Sequence, residues 1–174
     1  MRRTSSREVY ANPWIRVRED AIERADGSAG IYSVIEHEDF AVAIPREDGW
    51  LWMVEQERYP IGRRSLEFPQ GSDPEVSGEA LARRELEEET GLGAGRLTHL
   101  GRLDQAPGFA TLGFDAWLAE ELTGGEPRRS IEEQDMETRK IRADSFEDLV
   151  RSGAITDAAT VGAWALLQMA PTRH

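Results

Sequence analysis

Arg84-Glu85-Leu86-Glu87-Glu88-Glu89-Thr90-Gly91 carries its acids at the end of a helix where acids are least favoured. Ser77 is a candidate N-cap, the residues from Glu79 to Glu89 are mostly strong helix formers, and Gly91 is a left-handed stop. Glu87, Glu88 and Glu89 then fall in the last turn, at the negative end of the macrodipole. Each carboxylate there costs about 0.3–1 kcal/mol, before mutual repulsion is counted. Stability alone would select Lys or Arg at these positions. A bound cation is the simplest compensation, so the helix end reads as a metal site.

Residues three and four apart share a helix face, so Glu85, Glu88 and Glu89 can converge while Glu87 points elsewhere. Three carboxylates at that spacing make a hard, oxygen-rich patch suited to Mg²⁺ or Mn²⁺. Arg84, four residues before Glu88, is placed to orient that carboxylate, and Ala82 and Leu86 seat the same side of the helix on a core. The plainer alternative is a solvated acidic face. The unfavourable dipole placement and the order of the residues argue against it.

Outward from this helix, the first third of the chain reads as strands. Trp14 to Glu23 alternates loosely, Ile31 to Glu36 is apolar-rich, and Asp26-Gly27 is a strong turn between them. Phe40 to Pro45 and Trp50 to Gln56 form a second hairpin around Glu47-Asp48-Gly49, and Leu66 to Phe68 is a short strand. Strands recur near Leu97 to Leu103 and Thr111 to Ala119, Gly124-Gly125-Glu126-Pro127 opens an acidic loop, and helices follow near Ser145 to Ser152 and Asp157 to Met169. Mixed strands with few helices indicate an α/β or α+β sandwich, not a doubly wound parallel fold.

Composition bounds the function. A chain of 174 residues with 39% apolar content suffices for one soluble domain with a substantial core. No stretch approaches the roughly 20 apolar residues that span a bilayer, and the basic start Met1-Arg2-Arg3 has no apolar segment behind it, so no signal peptide is expected. The absence of Cys removes disulfides, thiolate zinc sites and cysteine nucleophiles together. A cytoplasmic location is the default. The net charge of −12 argues against general nucleic-acid binding, though not against a nucleotide, because a bound divalent cation inverts the local electrostatics.

The order Arg84, Glu85, Leu86, Glu87, Glu88, Glu89, Thr90, Gly91, Leu92 resembles, without a gap, the second half of the Nudix box. That signature belongs to hydrolases of nucleoside diphosphates linked to another moiety. The first half departs from it: Val76 stands where the family has Glu, Gly71 lies one residue too close, and Glu75 is the nearest acid. The loop from Gly71 to Ser77 is thus one residue shorter than usual and lacks the Glu that braces it. The resemblance implies a Nudix-type α/β/α sandwich with a mixed sheet.

Other segments resemble the ADP-ribose pyrophosphatase branch. The branch has amino-terminal strands, here about residues 7–36, that pack against or swap with a second subunit; the implied division is a strand subdomain at 1–38 and a hydrolase domain at 39–174, assembled as a homodimer. In Val54-Glu55-Gln56-Glu57-Arg58-Tyr59-Pro60, Arg58 matches an Arg that contacts substrate. In Glu67-Phe68-Pro69-Gln70-Gly71, the Gln70 carbonyl matches a metal ligand, alongside Glu85, Glu88 and Glu89. Pro107 lies where the branch carries Pro, with Phe109 nearby as a possible base-stacking ring, and Gly153 to Thr160 resembles the closing turn and helix. The general base is expected on the late acidic loop Ile131 to Glu137, as Glu132 or Glu133.

Plainer readings stand beside these. Arg58 and Tyr59 could be a surface stem and a half-buried ring, Pro107-Gly108 is a good turn pair, and Phe109 could cap a core. Structural packing is expected for all five tryptophans, and His37, His99 and His174 lack metal-ligand spacing. The expected activity is Mg²⁺-dependent cleavage of ADP-ribose or a related nucleoside diphosphate sugar to a nucleoside monophosphate and a sugar phosphate. GDP-mannose, NADH or a dinucleoside polyphosphate are alternative substrates. A non-catalytic nucleotide-sugar sensor is the alternative class; such sensors tend to lose box carboxylates and to carry an effector domain, for which this chain has no room.

Overall fold

The computed structural model describes residues 1–171, apart from the side chain of Glu132; His174 lies outside the described residues. Two compact units form, one from residues 1–39 with 104–113, the other from residues 40–103 with those from 114 onward.

The first unit is an antiparallel sheet of β1 (Arg2–Ala11), β2 (Arg16–Glu23) and β3 (Ala29–Glu36), in that order. Side-chain carbonyls set its turns: Asn12 Oδ1 accepts from the Trp14 and Ile15 amides at 2.9 and 2.8 Å, and Asp26 Oδ1 accepts from the Ser28 amide at 3.0 Å. Strand β1 is exposed along its whole length. Trp14, expected to pack, is a turn residue with 74% of its surface exposed. The segment 104–113 joins this unit through Ile35, whose amide donates to the Phe109 carbonyl at 2.8 Å and whose carbonyl accepts from the Thr111 amide at 3.0 Å.

The second unit is built on a seven-stranded mixed sheet. Its strands are β4 (Phe40–Glu47), β5 (Trp50–Arg58), β6 (Arg63–Glu67), β7 (Gln70–Ser72), β8 (Gly93–Asp104), β9 (Gly113–Thr123) and β10 (Glu137–Arg142). The main path runs β10-β5-β4-β9-β8, with β6 on β5 and β7 on β4. Strands β4 and β9 pair in parallel and the rungs of β5 with β4, β6 and β10 are antiparallel. Asp48 and Gly49, at φ 51° and 78°, make the two-residue turn of the predicted hairpin.

Strand β4 explains the layering. Ala41 and Ala43 belong to clusters with Leu81, Ala82 and Leu86 of α1 (Gly78–Thr90), while Val42 and Ile44 pack with Ala159, Ala163 and Leu167 of α3 (Ala158–Met169). Small residues under one helix and branched ones under the other leave no solvated face, which is why this strand reads as a continuous apolar run. Phe146, at the start of α2 (Phe146–Arg151), completes the second layer, stacked between Phe68 and Trp164. The result is the expected α/β/α sandwich. No helix among the described residues is long and apolar enough to cross a membrane.

Candidate active site

Helix α1 begins and ends where expected. Ser77 is extended at the N-cap, although its side chain makes no cap bond, and Gly91 at φ 75° donates its amide to the Glu87 carbonyl at 2.9 Å. Ala82 and Leu86 are buried, and Glu85 and Glu89, which flank the same face of the helix, are buried with them. Glu89 is 1% exposed. Its Oε2 accepts from the Gln70 amide at 3.3 Å. Burial pushes the Glu89 carboxyl well above the usual range; the charges of Glu85 and Glu133 push it the same way, against the Gln70 amide and Arg58. Burial also raises Glu85, opposed by Arg84 and reinforced by Glu88 and Glu133. Glu88 is half-exposed, and Glu87 turns away to Arg128 at 3.5 Å.

Gly71 lets Glu85 lie against the backbone: a Cβ there would stand 2.3 Å from Glu85 Oε2. Arg84 was expected to orient Glu88, but that separation is 3.9 Å. The guanidinium instead holds Asp73 at 2.6 Å and Glu85 at 3.0 Å. Asp73 is thus the acid that ties the short loop to the helix, with its other oxygen accepting the Glu75 amide at 2.7 Å. Val76 packs against Ala41, Leu81 and Ala82, a place for an apolar side chain. The spacing of the box pointed to Glu75; an Asp two residues earlier reaches Arg84 across the shortened turn.

Beside Glu89 opens a cleft of about 330 Å³, lined among others by Gln56, Arg58, Tyr59, Gln70 and Glu133. Arg58 is there, but engaged: Nε and a terminal nitrogen donate to the two oxygens of buried Glu67 at 3.0 and 2.5 Å. Burial alone would raise Glu67; Arg58, Ser65 and Gln70 more than offset it and hold the carboxyl below its ordinary value. Gln70 Nε2 donates to Glu67 at 2.9 Å and to Asp157 at 3.3 Å, while its Oε1 is buried with no hydrogen-bond partner among the described residues. Tyr59 is 92% exposed, not half-buried. Glu133 Oε2 accepts from both the amide and the hydroxyl of Ser130 at 2.9 Å, which turns the loop back on itself.

The structure thus gathers Glu89, Gln70, Arg58 and Glu133 around one cleft, with the charge of Glu85 close enough to act on Glu89. Among the described residues, no three acidic or histidine side chains close on a common point at metal-ligating range. Pro107 and Phe109 belong to the first unit, and the lining of the cleft comes from the second. Phe109 caps no core, being 55% exposed. His99 pairs with Asp115 at 2.7 Å and leans on Trp117, and His37 bonds the Glu38 carbonyl at 2.8 Å. Glu67, Asp73, Asp157 and Arg129 escaped the sequence reading, because single polar residues far apart in the chain carry no local pattern.

Residues 1–35 match the model described as "Nucleoside diphosphate sugar hydrolase N-terminal domain", and residues 36–164 match the NUDIX domain. An ADP-ribose pyrophosphatase of Bacillus subtilis (strain 168) is 31% identical over 169 residues, covering 93% of this chain and 89% of the relative. One from Mycobacterium tuberculosis (strain ATCC 25618 / H37Rv) is 35% identical over 137 residues, covering 76% and 66%. The solved structure "Crystal structure of ADP compounds hydrolase" shares the fold at TM-score 0.86 and 23% identity, over 96% of this chain and 91% of that one. With buried carboxylates closing its signature helix beside a polar cleft, this chain belongs to the Nudix family of pyrophosphohydrolases, in the branch that resembles the ADP-ribose pyrophosphatases.

Proposed function

We propose that this enzyme hydrolyses the diphosphate bond of a nucleoside diphosphate sugar, ADP-ribose foremost, giving AMP and ribose 5-phosphate with Mg²⁺ (or Mn²⁺) as cofactor. The observation that carries the reading is Glu89: a carboxylate almost sealed from water, pushed up by the charges of Glu85 and Glu133 and, among the described residues, in no salt bridge. Such a group is costly unless paired or ligating. The donor set suits a hard divalent ion, and the unpartnered Oε1 of Gln70 marks a polar demand that the protein alone leaves unmet. Glu85, Glu88, Glu89 and the Gln70 carbonyl would hold the ion. Such an ion would supply charge neutralisation for the diphosphate and activation of water toward attack.

The chain's own residues supply the rest. Asp73 and Arg84 steady Glu85 at the end of the short loop. Arg58 is immobilised on Glu67 and offers the cleft a fixed positive edge for phosphate or ribose. Glu133 accepts the proton of the attacking water as the P–O bond to the leaving phosphate breaks. Ser130 holds one of its oxygens, fixing the carboxylate's direction. The fully exposed β1, bearing Val9 and Tyr10 at its outer end, suggests a homodimer in which a second copy shields that edge.

The test is a panel of ADP-ribose, GDP-mannose, NADH and diadenosine polyphosphates with Mg²⁺, followed by phosphatase-coupled phosphate release and ³¹P NMR of the products. ADP-ribose should be turned over fastest, yielding AMP. Silence across the panel would favour a nucleotide-sugar sensor instead. Light scattering on the same sample reads the dimer.

A further inference from the structure

One guanidinium joins the loop between β9 and β10 to the end of α1. Arg129 Nε donates to the Glu89 carbonyl at 2.9 Å, and its two terminal nitrogens donate to the Met136 carbonyl at 2.5 Å and to Thr138 Oγ1 at 2.8 Å. The backbone follows the same course: the Arg128 amide donates to the Glu88 carbonyl at 2.8 Å. Gly91 and Gly125 pass so closely that a Cβ on either would lie 2.5 or 2.7 Å from the other's carbonyl oxygen. Arg129 therefore bridges the last turn of α1, the far end of the loop and the second residue of β10. Glu133 rides on the span between those anchors.

We propose that Arg129 is a positioning residue, which clamps the Glu133 loop to the C-terminal end of α1 and so fixes Glu133 across the cleft from Glu89. This rests on the reading of Glu133 as proton acceptor. The residue type matters. Three acceptors lying in different directions need the rigid multi-donor fork of Arg, which an ammonium cannot imitate. The same cation sits on the Glu89 carbonyl at the negative end of α1, where the last turn of the helix has no basic residue. The loop's other tether is Asp135, which accepts from the Glu57 amide at 2.8 Å and from Arg64 at 2.9 Å. Removing Arg129 leaves the span that carries Glu133 held at the Arg128 amide on one side and at Asp135 on the other, without the side-chain bridge between them.

The experiment is a double-mutant cycle on the full chain, with ADP-ribose and saturating Mg²⁺. Arg129→Met should lower kcat by about 10²-fold, the cost of a misplacement near 1 Å, while KM stays within about threefold because no substrate contact is removed. On a Glu133→Gln background the same substitution should change kcat little. Arg129→Lys should recover only part of the loss, and hydrogen exchange should quicken in residues 130–136 but not in α1. If Arg129→Met fails to fold, Arg129→Lys carries the cycle with a smaller factor. A wild-type kcat for Arg129→Met, or an equal loss in both backgrounds, overturns the clamp while leaving the reading of Glu133 intact. A wild-type kcat for Glu133→Gln removes that reading, and the clamp's purpose with it.

Discussion

Helices α1 and α3 have nearly equal lengths, 13 and 12 residues, and place their charges in opposite ways. In α3, Asp157 stands at the positive end and accepts from the Thr160 amide at 2.7 Å, and Ala159, Thr160, Ala163 and Leu167 are buried below it. That arrangement serves stability. In α1, the N-cap Ser77 makes no side-chain bond, the last turn has no basic residue, and Glu85 and Glu89 are driven out of water. The stability forgone in α1 is restored by Arg84, which holds Glu85 from within the helix, and by the loop cation Arg129, which caps the Glu89 carbonyl from outside it. Two helices of one domain, packed on opposite faces of one strand, thus separate the tasks of holding the fold and holding the charge.

The contrast breaks most sharply at Glu89. Glu89→Gln should reduce turnover to below about one thousandth, since a metal centre supplies several kcal/mol of charge stabilisation, while circular dichroism reports an intact fold. A rate near wild type in saturating Mg²⁺ would remove Glu89 from the ligand set. The same variant tests the electrostatics in chelator. The folded carboxyl is raised above its unfolded value, so it is neutral and harmless at low pH and becomes a buried charge as pH climbs. Wild-type Tm in chelator should therefore fall as pH rises beyond the ordinary carboxylate range, and the Glu89→Gln profile should be flatter. Parallel profiles would contradict the burial argument.

Smaller effects sharpen the comparison. Arg58→Met leaves the buried Glu67 without its guanidinium and should cost about 1–3 kcal/mol, read as a lower Tm together with a raised KM. Asp157→Ala removes the cap of α3 at a cost of about 1 kcal/mol, roughly 2–4 °C in Tm. Arg128→Ala should leave Tm and kcat unchanged, because its side chain is 71% exposed and reaches Glu87 only at 3.5 Å. A loss there larger than that of Asp157→Ala would mean that the exposed ion pair, not the half-buried clamp of Arg129, steadies the end of α1.

Legibility in the sequence followed from how local each signal was. Helix α1, its stop at Gly91 and the hairpin at Asp48-Gly49 rest on neighbouring residues, and all three formed as expected. Strand β1 left no trace in the residue pattern, because every residue from Arg2 to Ala11 is exposed and no alternation records a buried face; the family resemblance alone reached its second half. Strand β10 was hidden the same way: in Glu137–Arg142 only Ile141 is an apolar side chain, and Lys140 and Arg142 lie over Trp50 and Trp52 rather than in water alone. In the site, the carboxylates were readable from their placement against the helix dipole. Their supports were not. Asp73 lies 11 residues from Arg84 and Arg129 lies 40 from Glu89, and these contacts exist only in the folded chain.

Mn²⁺ binding, followed by isothermal titration and by loss of the free-ion electron paramagnetic resonance signal, tests the central claim most directly. Wild-type protein should take up Mn²⁺ competitively with Mg²⁺, and Glu85→Gln and Glu89→Gln should each weaken uptake severely while Glu87→Gln does not. Equal uptake by all four proteins would contradict the account, since the acids that end α1 would then have no cation to hold.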